Sequence, residues 1–130
     1  NMAVLINGKK IAAGIPGTYL TLDRTWKKGD VVSFKLPMEF ELTKYEGEEQ
    51  VEGYERFALE YGPLLMAYVN LKDQDKNIVL DVPAEKLVKN LRAVPGKPLH
   101  FKVGGNDDYE YMPYFIVREE IFSCFPLSKL

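Results

Sequence analysis

Asn7-Gly8 stands between Val4-Leu5-Ile6 and Lys9-Lys10-Ile11. The pair tolerates the positive φ angles of a type I′ turn, whose twist matches that of two paired strands, so it predicts a tight β-hairpin. The pattern it opens continues along the chain as short apolar segments separated by turn residues, which is an all-β reading. Thr18 to Leu22 alternates polar with apolar residues, as a strand with one buried face does. Lys27-Lys28-Gly29-Asp30 reads as a turn, and Val31 to Leu36 as the next strand. Pro37 marks a bulge or an edge, because proline cannot donate to a ladder. Met38 to Tyr45 alternates again, with Phe40 and Leu42 inward and Glu39, Glu41 and Thr43 outward.

Glu46 to Gly53 is acidic and glycine-flanked, as an exposed loop is. Phe57 to Tyr61 and Leu64 to Val69 flank Gly62-Pro63, and the second run is nearly continuous, as in a central strand covered on both faces. Asp81 to Lys89, with Pro83 early in it, carries the start signals of a short helix. Leu99 to Val103, Asp108 to Met112 and Ile121 to Phe125 read as closing strands, with Gly104 to Asp107 as a turn. The expected architecture is a two-sheet antiparallel β-sandwich, jelly-roll-like, with one short helix. At 130 residues the chain is expected to form a single domain over 1–130 with a core of its own.

Composition narrows the function classes. Lys+Arg 17 against Asp+Glu 19 leaves a net charge of −2, which provides no electrostatic footprint for a nucleic-acid backbone. One Cys and one His supply neither an internal disulfide nor a zinc site, so no metal or cofactor is expected. No apolar run approaches the roughly 20 residues that span a bilayer, so no membrane insertion is expected.

The residues that could carry chemistry are scattered. Cys124 and His100 fall in separate strands with no orienting third group, and Cys124 lies in an apolar strand where a cysteine behaves as a small hydrophobe. Asp73 to Asn77 opens like an EF-hand loop, but Ile78 and Ala84 stand where the glycine and the bidentate glutamate are needed. Asn106-Asp107-Asp108 has the oxygens of a shared calcium site, but a polar turn that satisfies its own backbone is the better reading. Glu39 and Glu41 share one face of a strand, roughly 7 Å apart, a spacing of the inverting-glycosidase kind but without a marked cleft. No catalytic residue is assigned. Aromatic side chains are the remaining lead, because sugar rings stack their C–H faces on exposed Trp and Tyr. Trp26, Tyr109, Tyr111 and Tyr114 are the candidate carbohydrate-binding residues, although rings buried in the core are the better reading for all four. For Trp26 the core is the expected place, since it is followed directly by the Lys27 to Asp30 turn.

One ordered set of segments goes further. Ile6-Asn7-Gly8-Lys9, Gly17-Thr18-Tyr19-Leu20, Arg24-Thr25-Trp26-Lys27-Lys28-Gly29-Asp30-Val31-Val32, Leu36-Pro37-Met38, Ala58-Leu59 and Gly62-Pro63-Leu64-Leu65 follow one another. In this order they resemble the C-terminal β-sandwich region of glycoside hydrolase family 127, the β-L-arabinofuranosidase type, and related families. Pro113-Tyr114-Phe115 and Glu120-Ile121-Phe122 resemble closing strands there, Asp73 to Gly96 has no counterpart, and Tyr61 replaces a basic residue common before "GP". The resemblance implies a non-catalytic accessory domain of a larger hydrolase-like protein, which stabilises a catalytic (α/α)6 barrel absent from this chain. It also implies a periplasmic or extracellular setting. The alternative is a carbohydrate-binding module with an exposed aromatic platform for plant-type oligosaccharide or polysaccharide. The family's zinc-bound cysteine and glutamates belong to its barrel, and Cys124 matches none of their motifs. Arg24 is expected to stack on the Trp26 indole.

Overall fold

A computed structural model describes residues 2–72, 78–105 and 107–129 of the chain. The chain divides into two compact units, Asn1–Pro37 and Met38–Leu130. The first is a three-stranded antiparallel sheet of β1 (Met2–Ile6), β2 (Lys9–Gly14) and β3 (Val32–Phe34), in the order β2-β1-β3. Asn7 at φ 51° and Gly8 at φ 78° make the expected hairpin turn between β1 and β2. Register shifts between Val4, opposite Ala12, and Leu5, opposite Lys10, so Ile11 is the extra residue of a bulge.

Thr18 to Leu22 is not a strand, contrary to its alternation. The carbonyl of Ile15 accepts from both the amide of Thr18, at 3.2 Å, and its hydroxyl, at 2.9 Å. Gly17 turns at φ 76°, and the segment leaves this bend without a ladder partner among the described residues. Alternation makes a strand only where a neighbouring strand accepts its hydrogen bonds.

The second unit holds β4 (Phe40–Lys44), β5 (Tyr54–Tyr61), β6 (Leu64–Val69), β7 (Val79–Leu80) and α1 (Ala84–Leu87). It continues with β8 (Leu91–Ala93), β9 (Phe101–Val103), β10 (Glu110–Pro113), β11 (Phe122–Ser123) and β12 (Leu127–Lys129). Its nine strands run β7-β12-β5-β6-β10-β9-β8, with β4 also on β5 and β11 also on β6. The described pairs are antiparallel except β7 with β12, which is parallel. The fold is therefore all-β, with two sheets and, among the described residues, a single short α-helix.

β6 is the central strand that its continuous apolar run implies. Met66 and Tyr68 join Leu59, Leu80, Leu87 and Tyr111 in one buried cluster. Ala67 and Val69, which alternate with them, join Met112 in a second. Phe40 and Leu42 of β4 pack on the first cluster while Glu41 and Thr43 face out, as the alternation predicts. Helix α1 is one turn long and continues as a 3-10 turn over Val88–Asn90. Pro83 precedes it at φ −66°, and its carbonyl accepts from the Lys86 amide at 2.9 Å.

Candidate functional site

Asp30 organises the first unit's turn. Its carboxylate accepts from Asn7 Nδ2 at 2.8 Å, from the Lys27 amide at 3.0 Å and from the Arg24 guanidinium at 3.2 Å. Asn7 in turn accepts from the Val31 amide at 2.9 Å through Oδ1, and its own amide donates to the Val31 carbonyl at 2.9 Å. The hairpin turn and the Gly29-Asp30 turn are thereby tied together, although 23 residues separate Asn7 from Asp30. The Asn7 side chain, then the Lys27 amide and the Arg24 charge, hold the Asp30 carboxyl below its ordinary 3.8.

Arg24, fixed by Asp30, sits 5.1 Å from the centroid of the Trp26 ring, which is the expected stacking. Trp26 itself corrects the expectation of a core ring, since it is 48% exposed. A guanidinium braces the indole while much of it stays open to solvent. Beside this arrangement lies a cavity of about 360 Å³ lined by Ile6, Ile11, Thr21, Leu22, Asp23 and Arg24.

The tyrosines part company. Tyr114 is exposed, and its ring lies 5.5 Å from that of Phe122, with Phe115 exposed next to it in sequence. Tyr109 is half-buried against Tyr68 at 5.6 Å. Tyr111 is 0% exposed and 4.9 Å from Tyr68, so no saccharide reaches its ring. Its hydroxyl has no hydrogen-bond partner among the described residues, and burial pushes its titration up. Tyr109 and Tyr111 do share a face, as their spacing predicts, but that face is the core side of β10.

The other candidates stay apart. Cys124 packs against Ala67, Val69 and Met112, and burial pushes its thiol up, away from the thiolate a nucleophile needs. His100 lies in the loop before β9, with Nδ1 2.9 Å from the Pro98 carbonyl. Glu41 sits in β4 opposite Glu60, and Glu39 precedes the strand; both are exposed. The EF-hand-like Asp73 to Asn77, and Asn106, lie outside the described residues. Asp108 is bound by Lys72 at 2.9 Å, and Asp107 lies 3.4 Å from Arg92 and 3.7 Å from Lys102. Those carboxylates face ammonium and guanidinium groups. The zinc of the arabinofuranosidase family does not fit this donor set, because no group of three His, Cys, Asp or Glu able to hold a metal occurs among the described residues. No helix among them is long and apolar enough to cross a membrane.

Residues 1–38 match the family model of the β-L-arabinofuranosidase (glycoside hydrolase 127) middle domain. The stretch that carries Asn7, Arg24, Trp26 and Asp30 is thus linked to glycoside hydrolase 127-related sequences. No curated protein matches the chain. The link is to a middle domain and not specifically to the C-terminal sandwich suggested by the motif order, and it does not extend to Gly62-Pro63 or to Pro113 and beyond. It ends at residue 38, one residue past Pro37, where the first compact unit ends. Near the candidate residues of the second unit, sequence reasoning missed the loop from Val94 to His100, whose signal was Pro95-Gly96 followed by Pro98, and read its last two residues, Leu99 and His100, as the start of a strand.

Proposed function

We propose that the chain is a carbohydrate-associated β-module of a glycoside-hydrolase-related protein, which meets saccharide on exposed aromatic rings and performs no bond cleavage itself. The observation that carries this reading is Trp26: a half-exposed indole braced by Arg24, within the stretch that matches a glycoside hydrolase domain. A rigid exposed ring offers a large apolar face at little entropic cost, which is what the C–H face of a sugar requires. Tyr114, with Phe122 beside it, supplies a comparable surface on the second unit. Electrophoresis of the chain through gels containing arabinan or xylan tests the reading. Retardation that Trp26→Ala or Tyr114→Ala relieves supports it; identical mobility in every gel overturns it.

A second reading is the accessory role, in which the chain stabilises a catalytic helical barrel of an exported parent protein. It is favoured by the first unit's apolar surface, where Ile15, Tyr19, Val31 and Phe34 are exposed while Val4 and Ile6 form its small core. Under this reading the first unit is marginal without its partner, and coexpression of the chain with a catalytic helical barrel of this hydrolase type raises its melting temperature.

A further inference from the structure

An open cavity of about 440 Å³ lies in the second unit between Tyr61, Phe101 and the loop that ends at His100. Its size is at the small end of the range for ligand sites, about 300–1,000 Å³. The aromatic wall is held from behind. Tyr61 stacks on Phe40 at 4.4 Å and meets Phe101 edge-on at 5.5 Å, and Phe40 meets Phe101 at 5.0 Å.

The facing loop is equally fixed. The Val94 amide donates to the His100 carbonyl at 2.9 Å, Lys97 to Val94 at 3.2 Å and His100 to Lys97 at 3.3 Å. Leu99 stands at φ 62°, a conformation that an L-residue holds only at a cost and that recurs where a loop is shaped for a ligand.

The polar groups define what fits. The Pro98 carbonyl can only accept, so the His100 Nδ1 2.9 Å from it carries the proton, and Nε2 of the neutral ring is left as an acceptor. Lys97 donates to Glu110 at 2.9 Å, and the Glu110 side chain is only 8% exposed. The cation at the rim is thus already compensated, and among the described residues that line the cavity no other charge is present to attract an anion. We propose that this cavity binds one neutral sugar ring of an oligosaccharide, its C–H face against one ring of the edge-on Tyr61–Phe101 pair and one hydroxyl donating to His100 Nε2. The proposal rests on the carbohydrate reading above and adds a subsite away from Trp26 and Tyr114.

The test is an amide-resolved NMR titration of the full chain with arabinotriose, xylotriose and, as the charged counterpart, trigalacturonate. The expected result is a saturable shift of the Gly96, Lys97, Leu99 and His100 amides with at least one neutral trisaccharide, and weaker binding of trigalacturonate. His100→Ala should weaken binding at least fivefold, and His100→Gln, which restores an acceptor, should recover most of it. Shifts confined to the surroundings of Trp26 or Tyr114 overturn this subsite while leaving the aromatic-ring reading in place. Shifts nowhere overturn both. Tighter binding of trigalacturonate, or a His100→Ala protein that binds as wild type with an intact spectrum, overturns the assignment of ligand and acceptor.

Discussion

Asp30 and Tyr111 show how two polar side chains take opposite places in this molecule. Asp30 gathers donors from Asn7, Lys27 and Arg24, and its carboxyl is held below 3.8 as a result. A group whose folded-state value is depressed contributes stability that is complete above its unfolded value and is lost as pH falls through the folded one. The Lys27 amide resonance should therefore titrate with a midpoint below 3.8, and the turn should loosen on that side of the scale. Asp30→Asn should remove that titration. Tyr111 instead leaves a hydroxyl without a partner among the described residues, at 0% exposure. Removing an unsatisfied buried group relieves a desolvation penalty of about 1–3 kcal/mol, offset in part by the small void left behind. Tyr111→Phe should be neutral or stabilising by up to about 1 kcal/mol in thermal or urea unfolding. A loss beyond about 1 kcal/mol contradicts the orphaned hydroxyl.

Elements were legible where their own residues determine them. Asn7-Gly8 enforces its turn through two positive φ angles, and β6 occupies Leu64–Val69 because each face of it meets an apolar cluster. Helix α1 is equally local: Pro83 sets its start, and the single inward residue of its turn, Leu87, is 1% exposed. Leu87→Ala should cost about 2–5 kcal/mol, read as a lowered urea midpoint. An unchanged midpoint would mean that the helix does not anchor to the core. What escaped the sequence depends on partners far along the chain. β7, β8 and β12 are two or three residues long, too short for a period to show, and β12 exists through its registers with β5 and β7. Thr18 to Leu22 had the period without a partner. Among the site residues, Arg24 on Trp26 was legible from spacing, whereas burial of Tyr111 follows from which side of β10 meets the core, and exposure of Trp26 from its place in the irregular segment between β2 and β3.

At the scale of the whole molecule, the match to a glycoside hydrolase middle domain and the first compact unit end within one residue of each other, at residue 38 and Pro37. The two units therefore bring different features to the proposed carbohydrate role: a braced indole in the first, and a ring-walled cavity with the Tyr114–Phe122 pair in the second. Trp26 is the chain's one tryptophan, so its fluorescence reports on that indole alone. The central claim is tested most directly by titrating the full chain with arabinan and xylan oligosaccharides while recording tryptophan emission. The expected result is a solvent-exposed emission maximum that shifts to the blue saturably with one of these sugars, with Trp26→Ala, titrated by calorimetry, losing that affinity while its unfolding free energy stays within about 1 kcal/mol of wild type. An emission already blue in the free protein and unmoved by every oligosaccharide, with Trp26→Ala unfolding about 3–5 kcal/mol more easily, would contradict it and return the indole to the core.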